Sequence, residues 1–222
     1  GAGVIEALPV HRFGATLETA TQRAVKPLSV VVVGNSITWH RPLPSIQWAG
    51  DWGMAATAAN RDYYSTLGRL VSSKSGVRPA MTRLSMASLE KDPSLLAKVE
   101  PDVIQQAKAS DLLVVQLGDN APKDKLDQFA VSYNGLIDAL RPTHGGLVCM
   151  STWWHNPETD DIIARACVSR QGKFVVIGDI ADQPWGRAGL SNSIVNPGVA
   201  AHPSDQAMRE IALRIYQAWL GR

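Results

Sequence analysis

The sequence predicts an α/β domain in which a parallel sheet is covered by helices on both faces. Short, nearly continuous apolar runs alternate along the chain with longer segments of helical periodicity, and such runs are typical of strands buried on both faces of a parallel sheet. Polar residues follow several of these runs directly. Since ligands of parallel α/β sheets bind beyond the carboxyl ends of the strands, these polar residues are the candidate site.

The first strand and the first helix establish the pattern. Residues 29–34 are short, rich in valine and flanked by Pro27 and Gly34, which predicts a fully buried strand. Residues 62–74 place Tyr64, Leu67 and Val71 on one face, which predicts a helix.

The remaining elements continue the alternation, and the last helix has clear end signals. Ser204 is a suitable N-cap for it, and Gly221 is its stop. Further strands are predicted at residues 79–86, 111–120, 146–152 and 173–180, and further helices at 94–109 (one or two, broken at Pro101), 126–143, 158–172 and 204–221.

Length and composition favour one domain. The chain has 222 residues, 45% of them hydrophobic, enough for one sizeable core. We assign residues 27–222 to this domain and residues 1–26 to an N-terminal extension. The formal net charge is +2, without a dense Lys/Arg cluster, which argues against a nucleic-acid partner. No apolar run approaches the roughly 18 residues of a membrane helix, so no membrane span is expected.

The compartment stays open at this stage. Residues 1–10 lack a basic region followed by a long apolar stretch, so no signal peptide is visible; a secreted or periplasmic location is favoured if one has been removed. Cys149 and Cys167 lie in an apolar run and a helix-like segment, and we interpret both as small buried hydrophobic residues. His40 and His155 have no metal-ligand spacing, and neither a metal nor a cofactor is expected.

The turn after the first strand, Gly34-Asn35-Ser36, lacks the motifs of several known strand-to-helix turns. A dinucleotide fingerprint needs further glycines, and a P-loop needs a lysine. The α/β-hydrolase elbow needs a glycine where this chain has Thr38. What remains is a serine at a strand end, which becomes a nucleophile only with a base and donors for an oxyanion. His202 is the candidate base, and Asn120 is a candidate donor beside the Ser36 N–H.

Three short motifs in this order resemble the SGNH/GDSL hydrolases. "VVVVGNSIT" resembles their first block, with Asn35 in place of the commoner Asp. "VVQLGDN" matches the Gly-x-Asn block through Gly118 and Asn120, and "AAHPSDQAM" matches the final block through His202 and Pro203. The resemblance spans roughly residues 29–221. It implies a flavodoxin-like three-layer α/β/α sandwich, with Gly34, Gly118 and Asn35 as supporting residues, and ester hydrolysis without a metal.

The chain departs from the family pattern at two positions. The family acid lies three residues before the histidine, where this chain has Val199. A backbone carbonyl would then orient His202, giving a Ser–His dyad, or a more distant acid would complete a triad. The oxyanion glycine expected near residues 83–91 is also absent, and the N–H of Ser85 or Ala87 could replace it. The alternative acids are Asp179, Asp182 and Asp205.

The long segment of residues 36–64 follows the proposed nucleophile and is unusually long for a simple connection. Its tryptophans, with two more at another strand end, are interpreted either as packing residues or as a substrate wall, since aromatic faces stack on sugar rings. The proposed wall residues are Trp39, Trp48, Trp52, Trp153 and Trp154.

The sequence therefore predicts a serine esterase for short acyl groups, with acetyl on a carbohydrate as the first candidate substrate. Ser36, His202 and Asn120 are its expected catalytic residues. A carbohydrate O-acyltransferase using the same site is the second hypothesis. A non-catalytic carbohydrate-binding domain is the third, and the missing acid at Val199 is the feature that favours it.

Overall fold

Within residues 26–221, which the structure describes, five parallel strands form one central sheet. In this computed structural model the spatial order is β2-β1-β3-β4-β5, and every neighbouring pair is parallel. The order is a doubly wound one, so the predicted three-layer α/β/α architecture is confirmed. The strands are Ser29–Gly34 (β1), Ala80–Ser85 (β2), Leu112–Gln116 (β3), Gly146–Met150 (β4) and Lys173–Val175 (β5).

Helices cover both faces of the sheet. The α-helices are Tyr63–Ser75 (α1), Pro101–Lys108 (α2), Leu126–Leu140 (α3), Pro157–Val168 (α4), Gly178–Ala181 (α5), Pro197–Ala200 (α6) and Asp205–Gly221 (α7). Short 3₁₀ helices lie at Pro44–Ile46, Ala59–Arg61, Ala87–Glu90 and Pro93–Lys98. The strand predicted over residues 173–180 was too long, because β5 ends at Val175 and, after two residues outside regular structure, the short helix α5 begins at Gly178.

Successive valines of β1 supply the two halves of the core. Val30 and Val32 pack in the cluster that includes residues of α1 and α7, whereas Val31 and Val33 pack with α2, α3 and α4. All four are fully buried, and each such burial contributes roughly 1.5–3 kcal/mol. β1 is therefore fixed in the interior of the sheet, between β2 and β3, and the turn that follows it starts from a rigid position.

The last helix is capped as the sequence predicted. Ser204 Oγ accepts a hydrogen bond from the Ala207 N–H at 3.0 Å, the arrangement of an N-cap. Ser204 Oγ also donates to the Trp185 carbonyl at 2.5 Å. Since Ser204 lies two residues after His202, these bonds restrain the backbone that carries the histidine.

The two cysteines form a disulfide between β4 and α4, which the sequence interpretation missed. Cys149 and Cys167 are fully buried, as expected, but they are bonded to each other across a Cα–Cα distance of 6.2 Å. The chain leaves β4 and returns along α4, which brings the two cysteines together. The sequence around either cysteine does not show that they are close.

The predicted N-terminal extension, residues 1–26, lies almost entirely outside the described residues, and so do residues 1–10, in which the sequence shows no signal peptide. Among the helices of residues 26–221, none is both long and apolar enough to cross a bilayer.

Candidate active site

Ser36 and His202 meet beyond the carboxyl ends of the strands, although 166 positions separate them in sequence. Ser36 follows β1 and His202 follows α6. The Ser36 Oγ lies 2.8 Å from His202 Nε2, a hydrogen-bond distance at which an imidazole can accept the hydroxyl proton.

A backbone carbonyl fixes the tautomer of His202. The His202 Nδ1 lies 2.7 Å from the Gly198 carbonyl oxygen, which accepts but cannot donate. Nδ1 therefore carries the ring proton, and in the neutral ring Nε2 is the acceptor that faces the hydroxyl of Ser36.

His202 is held in its neutral form. Burial lowers the pKa of His202 to about 4, with a smaller contribution in the same direction from His40, whereas the hydrogen bond to the Gly198 carbonyl raises it. The side chain is 8% exposed, and the Trp154 ring packs edge-on against the imidazole with a centroid distance of 4.9 Å. At neutral pH the ring is therefore ready to accept a proton.

In the described part of the chain none of the three candidate acids forms a hydrogen bond or ion pair with His202. Asp179 binds Arg214 at 2.7 and 3.0 Å, and Asp205 accepts bonds from the N–H and hydroxyl of Thr57. Asp182 is exposed. Of the two arrangements that the sequence left open, the observed geometry has the backbone carbonyl at Nδ1.

The turn after β1 holds Ser36 by backbone geometry. A Cβ at Gly34 would lie 2.7 Å from Gln116 Oε1 and closer still to Thr38, so no larger residue fits. Asn35 Oδ1 accepts from the Ile37 N–H at 3.1 Å, and the Asn35 carbonyl accepts from the Thr38 N–H at 3.0 Å. These bonds close a tight turn with Ser36 at its bend.

A buried carboxylate, Glu90, organises the loop that carries Asn120. Glu90 is 1% exposed. Its Oε2 accepts from the Gly118 N–H at 2.7 Å and from the Asn120 N–H at 3.0 Å, and its Oε1 accepts from Asn120 Nδ2 at 2.9 Å. Gly118 has a φ of 131°, which favours glycine. Sequence reasoning missed Glu90, which lies at the end of a 3₁₀ helix.

Asp119 is the second carboxylate beneath the site. It accepts from Asn35 Nδ2 at 3.1 Å, from Gln116 Nε2 at 3.2 Å and from the N–H of Trp153 at 2.7 Å. Burial raises the pKa of Asp119 to about 7; the Asn35 hydrogen bond opposes the rise, and the neighbouring Glu90 adds to it. Because its partners lie on three segments, Asp119 ties β1 and β3 to the loop after β4.

Asn35 links the two carboxylates. Its Nδ2 donates to Asp119 and also lies 3.4 Å from Glu90 Oε2. An aspartate here would offer only acceptor oxygens to two carboxylates, whereas the amide has two N–H donors. The contacts thus give a physical reason for Asn at the position where similar motifs more often have Asp.

Candidate oxyanion donors lie on three segments: the Ser36 turn, the Asn120 loop and the end of β2 with the residues that follow it. Within residues 26–221 the Ser36 N–H has no hydrogen-bond acceptor, and Asn120 Nδ2 uses one of its two hydrogens on Glu90. The Met86 N–H donates to the Gly34 carbonyl, so the alternation along β2 directs the Ser85 N–H away from β1. Ala87 begins a 3₁₀ helix, where N–H groups have no acceptor within the helix. Because β2 is the edge strand of the described sheet, the N–H groups of Ser85 and Ala87 are both free to donate, and both replacements stay candidates.

A cavity of about 690 Å³ opens over these groups. Its lining includes Ser36, His202, Asn120 and Ala87, so the hydroxyl, the imidazole and candidate oxyanion donors face one space. In the described part of the chain no group of three His, Cys, Asp or Glu side chains is arranged to hold a metal ion.

The tryptophans differ sharply from the predicted substrate wall. The segment of residues 39–54 does line the cavity, but Trp39 is its only tryptophan among the described lining residues. Trp48 is 7% exposed, donates to the His40 carbonyl and packs edge-on against Trp52. Trp52 donates to the Ala56 carbonyl at 2.7 Å. Both belong to the packing beneath the segment.

The two tryptophans after β4 also have structural contacts. Trp153 is completely buried in the core and donates to the Ala201 carbonyl at 2.9 Å. Trp154 packs against His202. The prediction that all five tryptophans form a wall was therefore wrong, because amphipathic indole rings also serve as core residues with a hydrogen-bonded N–H.

No protein-family model and no curated protein sequence matches this chain. Solved structures do. One is a protein named as a GDSL-like lipase from Bacteroides ovatus, with a TM-score of 0.56 and 11% identity over 89% of this chain and 100% of that chain. Another is a lipase from a goat rumen metagenome, with a TM-score of 0.53 and 14% identity over 86% of this chain and 98% of that one.

A third similar structure is a two-domain esterase active on acetylated mannans. It has a TM-score of 0.55 and 12% identity over 88% of this chain and 49% of that chain. These likenesses show that the chain has the fold of the GDSL hydrolases, which the sequence motifs predicted.

Proposed function

We propose that this chain, which has the SGNH/GDSL hydrolase fold, is a serine ester hydrolase with Ser36 as nucleophile and His202 as general base. The observation that carries the proposal is the 2.8 Å contact between Ser36 Oγ and His202 Nε2. The Gly198 carbonyl supports it, since its bond to Nδ1 leaves the basic nitrogen facing the hydroxyl.

In the proposed mechanism the Ser36 Oγ attacks the ester carbonyl carbon while His202 Nε2 takes the hydroxyl proton. The tetrahedral intermediate collapses as His202 returns this proton to the leaving alcohol oxygen, giving an acyl-enzyme and the free alcohol. Water then attacks the acyl group, with His202 as base again, and releases the carboxylic acid and Ser36.

The developing oxyanion has preorganised donors. We assign this role to the N–H groups of Ser36 and Ala87 and to the second Nδ2 hydrogen of Asn120, all of which belong to residues lining the cavity. Loss of one such donor typically lowers kcat about 10²- to 10³-fold.

The histidine in this scheme works without a charged partner. When His202 becomes an imidazolium, a neutral carbonyl accepts from Nδ1 in place of a carboxylate, and burial disfavours the charge. We therefore propose a Ser–His dyad in which the histidine is a weak base.

The proposed substrates are esters with a short acyl group. A carbohydrate as the alcohol part is supported by Trp39 at the cavity and by the neighbour that acts on acetylated mannans. The remaining tryptophans no longer support it. The contact between Ser36 and His202 favours a catalytic protein over a purely binding domain.

The decisive experiment compares Ser36→Ala with Ser73→Ala, an exposed serine on α1. Ser36→Ala is expected to lose fluorophosphonate labelling and on the order of a thousandfold or more of p-nitrophenyl acetate hydrolysis. Ser73→Ala should retain both. Persistent labelling in folded Ser36→Ala would assign the nucleophile to another residue. Adding an acceptor alcohol shows whether the acyl group passes to water or to a hydroxyl.

A further inference from the structure

The cavity over Ser36 carries cationic side chains at its lining and no carboxylate among the described lining residues. Arg41 and Lys91 both line it and are both exposed. Within residues 26–221 neither forms an ion pair, whereas Arg83, Arg170 and Arg214 each pair with a carboxylate. Two unneutralised positive charges therefore border the space where the ester would bind.

The two cations come from separate segments that flank the catalytic groups. Arg41 belongs to the segment that leaves the Ser36 turn, and Lys91 directly follows the 3₁₀ helix Ala87–Glu90, which begins with the Ala87 donor. His40, beside Arg41, also lines the cavity. A bound substrate would thus meet positive charge close to the nucleophile from two different elements.

The nearby carboxylates do not cancel this charge from within the cavity. Glu90 is buried, and the N–H groups of Gly118 and Asn120 donate to it. Asp51 accepts from the Trp39 indole at 2.8 Å and is exposed, but it does not line the cavity. A substrate carboxylate would therefore approach Arg41 and Lys91 without meeting a carboxylate on the cavity surface.

Building on the proposed function, we propose that the site prefers esters whose own molecule carries a carboxylate, such as an acylated acidic sugar. A guanidinium matches a carboxylate with paired N–H donors, and an ammonium adds a mobile charge. Like-signed charges around a cleft also raise the local concentration of an oppositely charged substrate. Arg41 and Lys91 are the specificity-determining residues in this proposal.

The test uses pairs of esters of similar size that differ in charge, and each enzymatic rate is divided by the rate of hydroxide-catalysed hydrolysis of the same ester. In the first arm, 4-acetoxybenzoate, which carries its negative charge on the alcohol part, is compared with the neutral 4-acetoxybenzamide. In the second arm, the mono-4-nitrophenyl ester of adipic acid, which carries its negative charge on the acyl part, is compared with the neutral 4-nitrophenyl hexanoate. At low ionic strength, kcat/KM for the anionic member of at least one pair should exceed that for the neutral member by roughly tenfold. About 0.5 M sodium chloride should reduce this ratio.

Variants connect the preference to the two side chains. Arg41→Gln and Lys91→Gln should each lower the anionic-to-neutral ratio roughly three- to fivefold, as for loss of an exposed ion pair, and the double variant should bring it near one. Lys74→Gln is the matched control, because Lys74 is exposed in the last turn of α1, at the amino ends of the strands, and the same charge is removed there. It should leave the ratio unchanged.

The outcomes separate this inference from the function on which it rests. A ratio at or below one in both arms, from an enzyme whose hydrolysis and fluorophosphonate labelling depend on Ser36, would overturn the anionic preference and leave the esterase standing. A preference that survives the double variant would remove Arg41 and Lys91 as its source. Absence of both hydrolysis and labelling would overturn the esterase proposal and this inference together.

Discussion

The two partners of the Ser36–His202 contact are held in different ways. On the histidine side, Nδ1 bonds to one neutral carbonyl, that of Gly198. On the serine side, the turn and its neighbouring loop rest on two carboxylates, Glu90 and Asp119. Glu90 and Asp119 therefore lie beneath Ser36 and the proposed oxyanion donors rather than behind His202.

The contrast shows how a buried carboxylate and a neutral carbonyl each position the groups around them. A buried carboxylate is costly unless hydrogen-bond donors surround it, and here backbone N–H groups of Gly118 and Asn120 serve as donors, so satisfying Glu90 fixes the loop. The neutral Gly198 carbonyl fixes the direction of His202 and raises its pKa, but burial has the larger effect and keeps the pKa low. The orientation of His202 and the basicity of its ring are thus set by different features, the Gly198 carbonyl and burial. Four experiments test this separation.

Removal of Glu90 should have the largest effect. Glu90→Ala leaves the N–H groups of Gly118 and Asn120 without their buried acceptor, so we expect a loss of about 3 kcal/mol in the free energy of unfolding. The freed Asn120 amide should also lower kcat about hundredfold, with a smaller change in KM. Urea unfolding and kinetics with p-nitrophenyl acetate measure both. Glu100→Ala, an exposed control, should change neither, and a fully active Glu90→Ala would contradict the role given to this carboxylate.

Asn35→Asp should be the next most harmful change, although aspartate is commoner at this position in similar motifs. It places a third carboxyl group beside Glu90 and Asp119, and the resulting repulsion, or the proton uptake that relieves it, costs roughly 2–4 kcal/mol at neutral pH. Activity should fall roughly tenfold or more as the Ser36 turn shifts. The defect should shrink toward pH 5, because protonation removes the repulsion. Asn60→Asp, at an exposed position, is the control, and a variant as stable and active as the parent would refute the explanation of Asn35.

The pH profile tests the histidine side directly. Since burial lowers the pKa of His202 to about 4, the acid limb of kcat/KM should lie near pH 4, and most activity should remain at pH 5.5. The same group contributes stability that is fully present above pH 6.5, its ordinary pKa, and is lost as the pH falls through about 4. Rate measurements with p-nitrophenyl acetate, corrected for loss of folded protein, locate the limb. A limb near pH 6.5 would mean that the imidazole is not shielded.

The smallest effects are expected at the candidate acids. Asp179→Asn, Asp182→Asn and Asp205→Asn should each lower kcat/KM by less than about tenfold, whereas loss of a triad carboxylate costs on the order of ten-thousand-fold. Asp205→Asn also weakens the bonds to Thr57, so its stability must be measured beside its activity. A triad-sized loss at any of the three, with the fold preserved, would replace the dyad with a triad.

The fold was predictable because apolar runs mark buried strands regardless of what surrounds them. The failure at residues 173–180 has a physical cause, since an apolar run does not distinguish a strand from a short buried helix. Ile177 and Ile180 are both completely buried, yet they lie beyond β5. The disulfide was missed for a related reason, because the pairing of Cys149 with Cys167 depends on how α4 packs on β4.

The site was predictable to the extent that strand ends determine it. Ser36, Asn120 and His202 each follow or precede a regular element, and the sheet brings those ends together. Glu90 has no such marker. A charged residue in an irregular segment is usually solvated, and its burial here depends on the return of the loop at Gly118. The indole rings were misjudged because composition does not show whether a tryptophan points into a cavity or into the core.

The disulfide has a practical consequence for how the molecule is handled. Both Cys149 and Cys167 are fully buried. A reducing agent can therefore reach the disulfide only after β4 and α4 have moved apart. The rate at which a dilute reductant and an alkylating reagent convert the intact protein to its doubly alkylated form then reports how often this part of the core opens. Mass spectrometry of such a time course would follow breathing of the core without any introduced probe. Routine addition of a reducing agent during purification would gradually select the opened population.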